Sequence, residues 1–188
     1  VADSWTAPGG RPGRTVSDMI EDREHGLWFA LSDGGLAYLG PGWEDFTRFA
    51  HVATDPWSFP GRAVTAVAAH GDRELWVGGF RGWVRRFDPS TGRASGGFDL
   101  GTARVQSLLE TADGRLLAGG VDGLSIASDH GGQPLFRNTI NRTVTSMAAA
   151  PDGTVYVAAV GQGLFALDRT LTTVRAMSFE ETRRGSAD

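Results

Sequence analysis

Val16-Ser-Asp-Met-Ile-Glu-Asp-Arg-Glu-His-Gly-Leu-Trp-Phe-Ala-Leu-Ser-Asp-Gly-Gly-Leu-Ala-Tyr-Leu39 decides how this chain folds. An apolar strand, a polar turn, a second apolar strand, a glycine loop and a third strand follow one another. The same order returns from Val64, Val105 and Val144, at intervals of 48, 41 and 39 residues. Repeats of this length made of short strands signal β-propeller blades. One blade leaves both of its sheet faces uncovered, so the copies must stack. The expected fold is all-β, a β-propeller with four recognisable four-stranded blades. They either close as a four-blade ring or belong to a larger one.

With each opening valine as position zero, position +11 holds Leu27, Leu75, Leu116 and Val155, and position +12 holds Trp28, Trp76, Leu117 and Tyr156. Successive residues of a strand point to opposite faces. Bulk at both positions therefore calls for a sheet above and a sheet below. Position +14 is small in every copy: Ala30, Gly78, Gly119 and Ala158. A small residue there lets two sheets approach closely. The next strand opens with Gly35-Leu36, Gly82-Trp83, Gly123-Leu124 and Gly163-Leu164. Asp113-Gly114 and Asp152-Gly153 lie between apolar strands and signal hairpins. An outer strand is expected near Phe46–Phe49, Ala94–Phe98, Pro134–Phe136 and Thr173–Met177.

Residues 1–13 read as an N-terminal linker or closing strand, 14–180 as the blades and 181–188 as a polar tail. The long connection from Ala50 to Gly61 carries Pro56, Trp57, Phe59 and Pro60 and accounts for the first, longest interval. It reads as a contact loop or as a plug on its own blade.

The bulk composition excludes several classes. Net charge is −4, so no basic field favours nucleic acid or an anionic membrane. There is no cysteine, hence no disulfide and no thiolate chemistry. All 18 basic residues are arginine, so neither a Schiff-base lysine nor a phosphate-loop lysine exists here. No apolar run reaches the length of a membrane span, and no signal peptide is visible. The chain opens at Val1 and reads as a processed or excised piece.

Val16 to Leu39 resembles the two-component regulator propeller repeat, V-x-x-I-x-E-D-x-x-G-x-L-W-x-G-T-x-x-G-G-L. The second copy keeps Leu75-Trp76-Val77-Gly78, whereas Leu117 and Tyr156 stand at the tryptophan position of the third and fourth. The resemblance covers about Arg14 to Asp168. It implies a sensor region of a bacterial signalling protein, periplasmic or extracellular, that binds a ligand and passes the signal to an output domain. It also implies a ring larger than four blades. Ser128-Asp129-His130-Gly131-Gly132…Phe136 is similar, at altered spacing, to the Asp-box folding turn of sialidase-like propellers.

Catalytic motifs fail on context. Gly161-Gln162-Gly163-Leu164-Phe165-Ala166 fits a dinucleotide fingerprint, but no helix-opening sequence follows to hold a pyrophosphate. Gly123 to Ala127 echoes a nucleophile elbow inside a strand instead of at a strand-to-helix turn. His25, His51, His70 and His130 lack metal-ligand spacing and read as turn or surface residues. Asp18, Glu21 and Asp22 cluster without a fixed separation. No cofactor is called for.

An arginine precedes each opening valine: Arg14, Arg62, Arg104 and Arg142. Guanidinium forks bind carboxylate and phosphate through paired hydrogen bonds. A ring of them at the channel mouth would bind an anion, with Ser32, Asp33, Arg81, Asp122 and Gln162 adding polar contacts. The alternative is that each braces the neighbouring blade. Trp43, Trp57 and Phe59 are candidate aromatic contacts for a sugar ring or a protein partner. Trp83 reads as core. The expected function is therefore noncatalytic ligand binding and sensing. A propeller glycoside hydrolase or lyase and a structural interaction scaffold are the alternatives. The partners expected are a small-molecule or carbohydrate ligand or a protein, with further blades or an output domain in the full-length protein. Neither nucleic acid nor direct membrane insertion is expected.

Overall fold

The computed structural model describes residues 15–42, 46–127, 137–172 and 174–177. Strands β1 (Val16–Glu21), β2 (Leu27–Leu31), β3 (Gly35–Leu39) and β4 (Phe46–Phe49) form the first blade. The second holds β5 (Val64–His70), β6 (Glu74–Gly79), β7 (Trp83–Asp88) and β8 (Arg93–Asp99). The third holds β9 (Val105–Glu110), β10 (Leu116–Gly120), β11 (Gly123–Ala127) and β12 (Arg137–Ile140). The fourth holds β13 (Val144–Ala149), β14 (Val155–Ala159), β15 (Gly163–Leu167) and β16 (Val174–Ala176). Each sheet is an antiparallel meander in chain order. Pro134–Phe136 is outside the described residues, and the strand that pairs with β11 is Arg137–Ile140.

The first strands lie side by side in chain order, β1 on β5, β5 on β9 and β9 on β13. A register shift next to each opening valine resets the alternation. Such bulges re-aim side chains. The opening valine and positions +3, +11 and +13 therefore face the preceding blade, and +4, +12 and +14 face the following one. Three apolar clusters result, one per blade junction. Ile20, Trp28 and Ala30 meet Val64, Val67, Leu75 and Val77. Ala68 and Trp76 meet Val105, Leu108, Leu116 and Ala118. Leu109 and Leu117 meet Val144, Met147, Val155 and Val157. Gly119 shows why +14 is small, because a Cβ there would lie 2.4 Å from Cγ1 of Val144.

One alignment inferred from sequence is off by a residue. In the second blade Gly78 pairs with Val84, as Ala30 pairs with Leu36. Val84 thus takes the leucine place, and Trp83 takes the place of Gly35. Trp83 is core, as expected, but on the preceding side, where it stacks on Phe59 at 6.1 Å. Gly79 makes room for it, since a Cβ at Gly79 would stand 2.2 Å from the indole.

The two end faces lack cover among the described residues. Val16 is 51% and Met19 54% exposed, whereas Val64, Val105 and Val144, equivalent to Val16, are all at 0%. Thr145, Ser146 and Ala148 of β13 are exposed as well. The four blades form consecutive layers of a propeller-like stack.

Polar side chains stitch the layers together. Asp18 Oδ2 accepts the Val67 amide at 2.9 Å across the first junction. Burial, the larger influence, holds the Asp18 carboxyl above its ordinary value of 3.8, although the Val67 and Met19 amides pull it down. The folded protein thus binds this proton more tightly than the unfolded chain. The contribution is complete below about pH 3.8 and is lost as pH rises through the folded value. Asp18→Asn keeps an acceptor for Val67 without the charge. The variant is expected to be more stable than the natural protein at pH 7, and to gain nothing near pH 3. Urea denaturation at both values checks this, and an equal difference at both would remove desolvation as the cause.

Candidate functional site

The sequence points to the loops that lead into the first strands as a candidate site, and in the structure such loops touch the loop between the second and third strands of the preceding blade. The carbonyl of Arg62 accepts the amides of Gly34 at 3.1 Å and Gly35 at 2.9 Å from the first blade. Arg81 donates its amide to the Ala103 carbonyl at 2.8 Å, and Phe80 bridges Arg104. Thr143 Oγ1 donates to the Val121 carbonyl at 3.0 Å. Bracing between blades is therefore present here, carried by the backbone of Arg62 and not by its guanidinium.

Arg62, Arg142, Asp33, Arg81, Asp122 and Gln162 are exposed, and Arg14 lies outside the described residues. Arg104 differs. Its guanidinium lies 5.4 Å from the Phe80 ring centroid, a cation–π arrangement. The Arg104 Nε and the nearby Thr102 Oγ1 are buried without a hydrogen-bond partner.

A concave site lies elsewhere, on the outer edge of the second blade. The connection from Ala50 to Gly61 crosses β8 and encloses a cleft of about 340 Å³ lined by His51, Asp55, Trp57, Arg85 and Ser95, among others. Its shape follows from local chemistry. Asp55 Oδ1 accepts the Trp57 amide at 3.0 Å, an Asx turn. Ser58 Oγ donates to the Val52 and Asp55 carbonyls, both at 2.9 Å. The Ala94 amide of β8 donates to the Trp57 carbonyl at 2.7 Å and ties the loop to the sheet edge. Loop ends held in this way make a compact Ω-like segment.

Trp57 is 49% exposed, and Arg93 lies 5.8 Å from its ring centroid. His51 Nδ1 sits 2.6 Å from the Phe59 carbonyl, a contact in which Nδ1 donates. Arg85 is anchored by the Val84 and Phe98 carbonyls and by Asp99. Gly96, at φ +55°, and Gly97, at φ +96°, form the bend in β8 beside the cleft. An indole, an imidazole, hydroxyls, a carboxylate and one guanidinium line the cleft. That set suits a polar ligand with one flat, weakly polar face.

Of the aromatic contacts named from sequence, Trp57 sits in the cleft and Trp43 lies outside the described residues. Phe59 lines the same cleft from its buried side, 2% exposed and packed into the cluster of the first junction. His51, read as a turn residue, is a wall of the cleft. The contribution of Ser95, Gly96 and Arg85 has no sequence signal, because only the folded loop brings Ala50–Gly61 onto β8.

Each of the clustered carboxylates holds a contact of its own. Asp18 bonds Val67, Glu21 sits 2.6 Å from His25 Nδ1, and Asp22 accepts the Trp28 indole N–H at 3.0 Å. Between the second and third blades, Glu110 Oε2 lies 2.6 Å from both the Trp76 indole nitrogen and His70 Nδ1. Asp113 is held down to about 2 by hydrogen bonds from Arg115 and Thr111 at a surface turn. Among the described residues, no group of three or more His, Asp or Glu is placed to hold a metal ion.

No family profile and no curated protein matches this sequence. Solved structures do match. The extracellular domain of BT3049 from B. thetaiotaomicron, described as a hybrid two component system, superposes with a TM-score of 0.70 at 18% identity over 86% of this chain. The extracellular domain of BT4673 from the same organism gives 0.62 at 18% identity over 81%. PorZ, a bacterial surface component of the type-IX secretion system of Porphyromonas gingivalis, gives 0.66 at 15% identity over 93%. This chain spans 21%, 21% and 28% of those three proteins. At such identities the likeness is one of fold: stacked four-stranded blades shared with extracellular domains of two-component-like systems, consistent with the propeller repeat read at Val16 to Leu39.

Proposed function

We propose that this chain is a noncatalytic ligand-binding unit of an extracytoplasmic bacterial sensor, and that its four blades are consecutive members of a larger ring. The cleft under Trp57 carries the reading. It is a formed concavity of about 340 Å³ with a half-exposed indole on a loop pinned by its own hydrogen bonds. The ligand is a small polar molecule with a stacking face, a sugar ring above all.

Phe59 connects the cleft to the first blade junction, where it meets Phe87 at 5.3 Å. A ligand that favours one seating of the loop therefore favours one packing of blades one and two. Signal transfer is a population shift, bounded by the ligand's differential affinity for the two packings. The structural tasks held by Asp18, Glu21, Asp22 and Glu110 speak against the glycosidase reading. The uncovered faces of β1 and β13 support the larger ring.

The test is a calorimetric screen of mono- and oligosaccharides against the intact chain. Trp57→Ala is expected to weaken any ligand found at least tenfold, about 1.4 kcal/mol, and Arg62→Ala to leave it unchanged. The reverse pattern would move the site to the mouth. That second reading rests on Arg104 and Thr102, whose buried polar atoms lack partners. It calls for an anionic ligand and predicts loss on Arg104→Ala.

A further inference from the structure

The face that blade four presents matches the face that blade one leaves uncovered. At the second junction, Trp76 at position +12 meets Glu110 at position +5 of the next blade, indole nitrogen to carboxylate at 2.6 Å. The same two positions hold Trp28 and Ala69 at the first junction, and Leu117 and Ala149 at the third. The carboxylate stands where the facing indole N–H has no acceptor in its own blade. Trp28 needs none from Ala69, because Asp22 already accepts its proton. Leu117 has no donor. The pair left is Tyr156, a phenol donor at +12 of blade four, and Glu21, an exposed carboxylate at +5 of blade one whose Oε1 lies 2.6 Å from His25 Nδ1 of its own blade, as Glu110 also lies against His70. Phenol against carboxylate repeats the Trp76–Glu110 contact in kind.

Two more positions agree. Ala68 at +4 lies in one cluster with Leu108 at +3 of the next blade. The end faces offer Ala148 and Met19, again a small residue and a long one, both exposed. Thr65 Oγ1 lies 3.4 Å from its own blade's Gly78 carbonyl and donates at 2.5 Å to the Val105 carbonyl of the next. Thr145 Oγ1 makes the same own-blade contact, 3.4 Å to the Ala158 carbonyl. The opening residue of a following blade is what it lacks. The forward face of blade four is thus built like that of blade two, and the backward face of blade one like that of blade three.

We infer that the occupant of blade one's uncovered face is blade four of a second copy of this chain, seated head to tail. The inference rests on reading the chain as an open arc. A repeated head-to-tail contact closes as a ring when the rotation allows and grows otherwise.

The chain has no cysteine of its own, so disulfide trapping is clean. Met19→Cys and Ala148→Cys, both at exposed positions, are prepared separately and mixed under mild oxidation. The expected result is a species of twice the chain mass that forms in the mixture and not in either variant alone. Light scattering of the natural chain is expected to show a dimer, and both Met19→Arg and Ala148→Arg are expected to abolish it with unchanged circular dichroism. A natural chain that stays monomeric, or association that survives both substitutions, overturns the inference. In the monomeric case the reactivity of the thiol introduced by Met19→Cys separates two failures. A freely reactive thiol leaves the open arc standing without the second copy. A protected thiol in a monomer removes the open arc as well.

Discussion

Phe87→Ala is expected to be the most destabilising truncation in the first half of the chain, at about 3–5 kcal/mol. Phe87 is 1% exposed, and its ring meets Phe49 at 4.8 Å, Phe59 at 5.3 Å and Trp28 at 6.1 Å. Those partners come from the first blade's outer strand, the loop over the cleft and the first blade's second strand. Three separate segments therefore lose one common support. Neighbours held by antiparallel pairing cannot collapse far into the void, so the cavity cost adds to the lost burial. For a chain of this size each kcal/mol shifts the melting temperature by about 2–4 °C, so a drop of roughly 10 °C is the expected reading in a thermal melt. Because Phe59 would lose a wall, the cleft should loosen too, and Trp57 fluorescence should change well below the main transition. A melt within about 2 °C of the natural chain would show that this cluster is not the keystone of the first junction.

Gly119→Leu is the second large effect, and it works by overfilling. The missing side chain of Gly119 leaves the space occupied by Val144 of the next blade. A Cβ there would stand 2.4 Å from Val144 Cγ1 and 2.9 Å from its Cβ. Valine has no flexible end to swing away, so the two sheets must part. The expected cost lies at or above the upper end of the usual range of about 1–3 kcal/mol for overpacking. Ala158→Leu is the control. It sits at the same repeat position, on the side of blade four that has no described neighbour, and should cost under about 1 kcal/mol. Equal losses in the two variants, read by urea denaturation of dilute samples, would mean that position +14 matters for the strand itself and not for sheet approach. At high concentration the control gains a second use. If blade four seats against another copy, Ala158→Leu should weaken association while leaving the monomer intact.

The repeat was legible because its residues answer a demand that every blade shares. Leu75, Val77 and Trp76 had to face both ways, and alternation in a strand shows that without coordinates. The small residues Gly78 and Gly119 were legible for the same reason. Trp83 was misplaced by one residue because Gly-Trp and Gly-Leu look alike in sequence, and pairing to Gly78 is a matter of register. The place of Arg62 ahead of its strand was legible from the repeat, but what Arg62 does there was not. Its carbonyl, which every residue possesses, performs the bracing.

What the sequence by itself determined is the unit: four strands, a close approach at +14 and a demand for sheets on both sides. Periodicity carries that information because each blade meets the same requirement. What the tertiary structure decided is everything that joins residues far apart in the chain. It put Ala50–Gly61 across β8 to make a cleft with His51, Trp57 and Ser95, set Phe59 between that cleft and the first junction, and left the outer faces of β1 and β13 bare among the described residues. Those outcomes depend on how many layers are stacked and where a loop comes to rest, and neither quantity is encoded in the period of a strand.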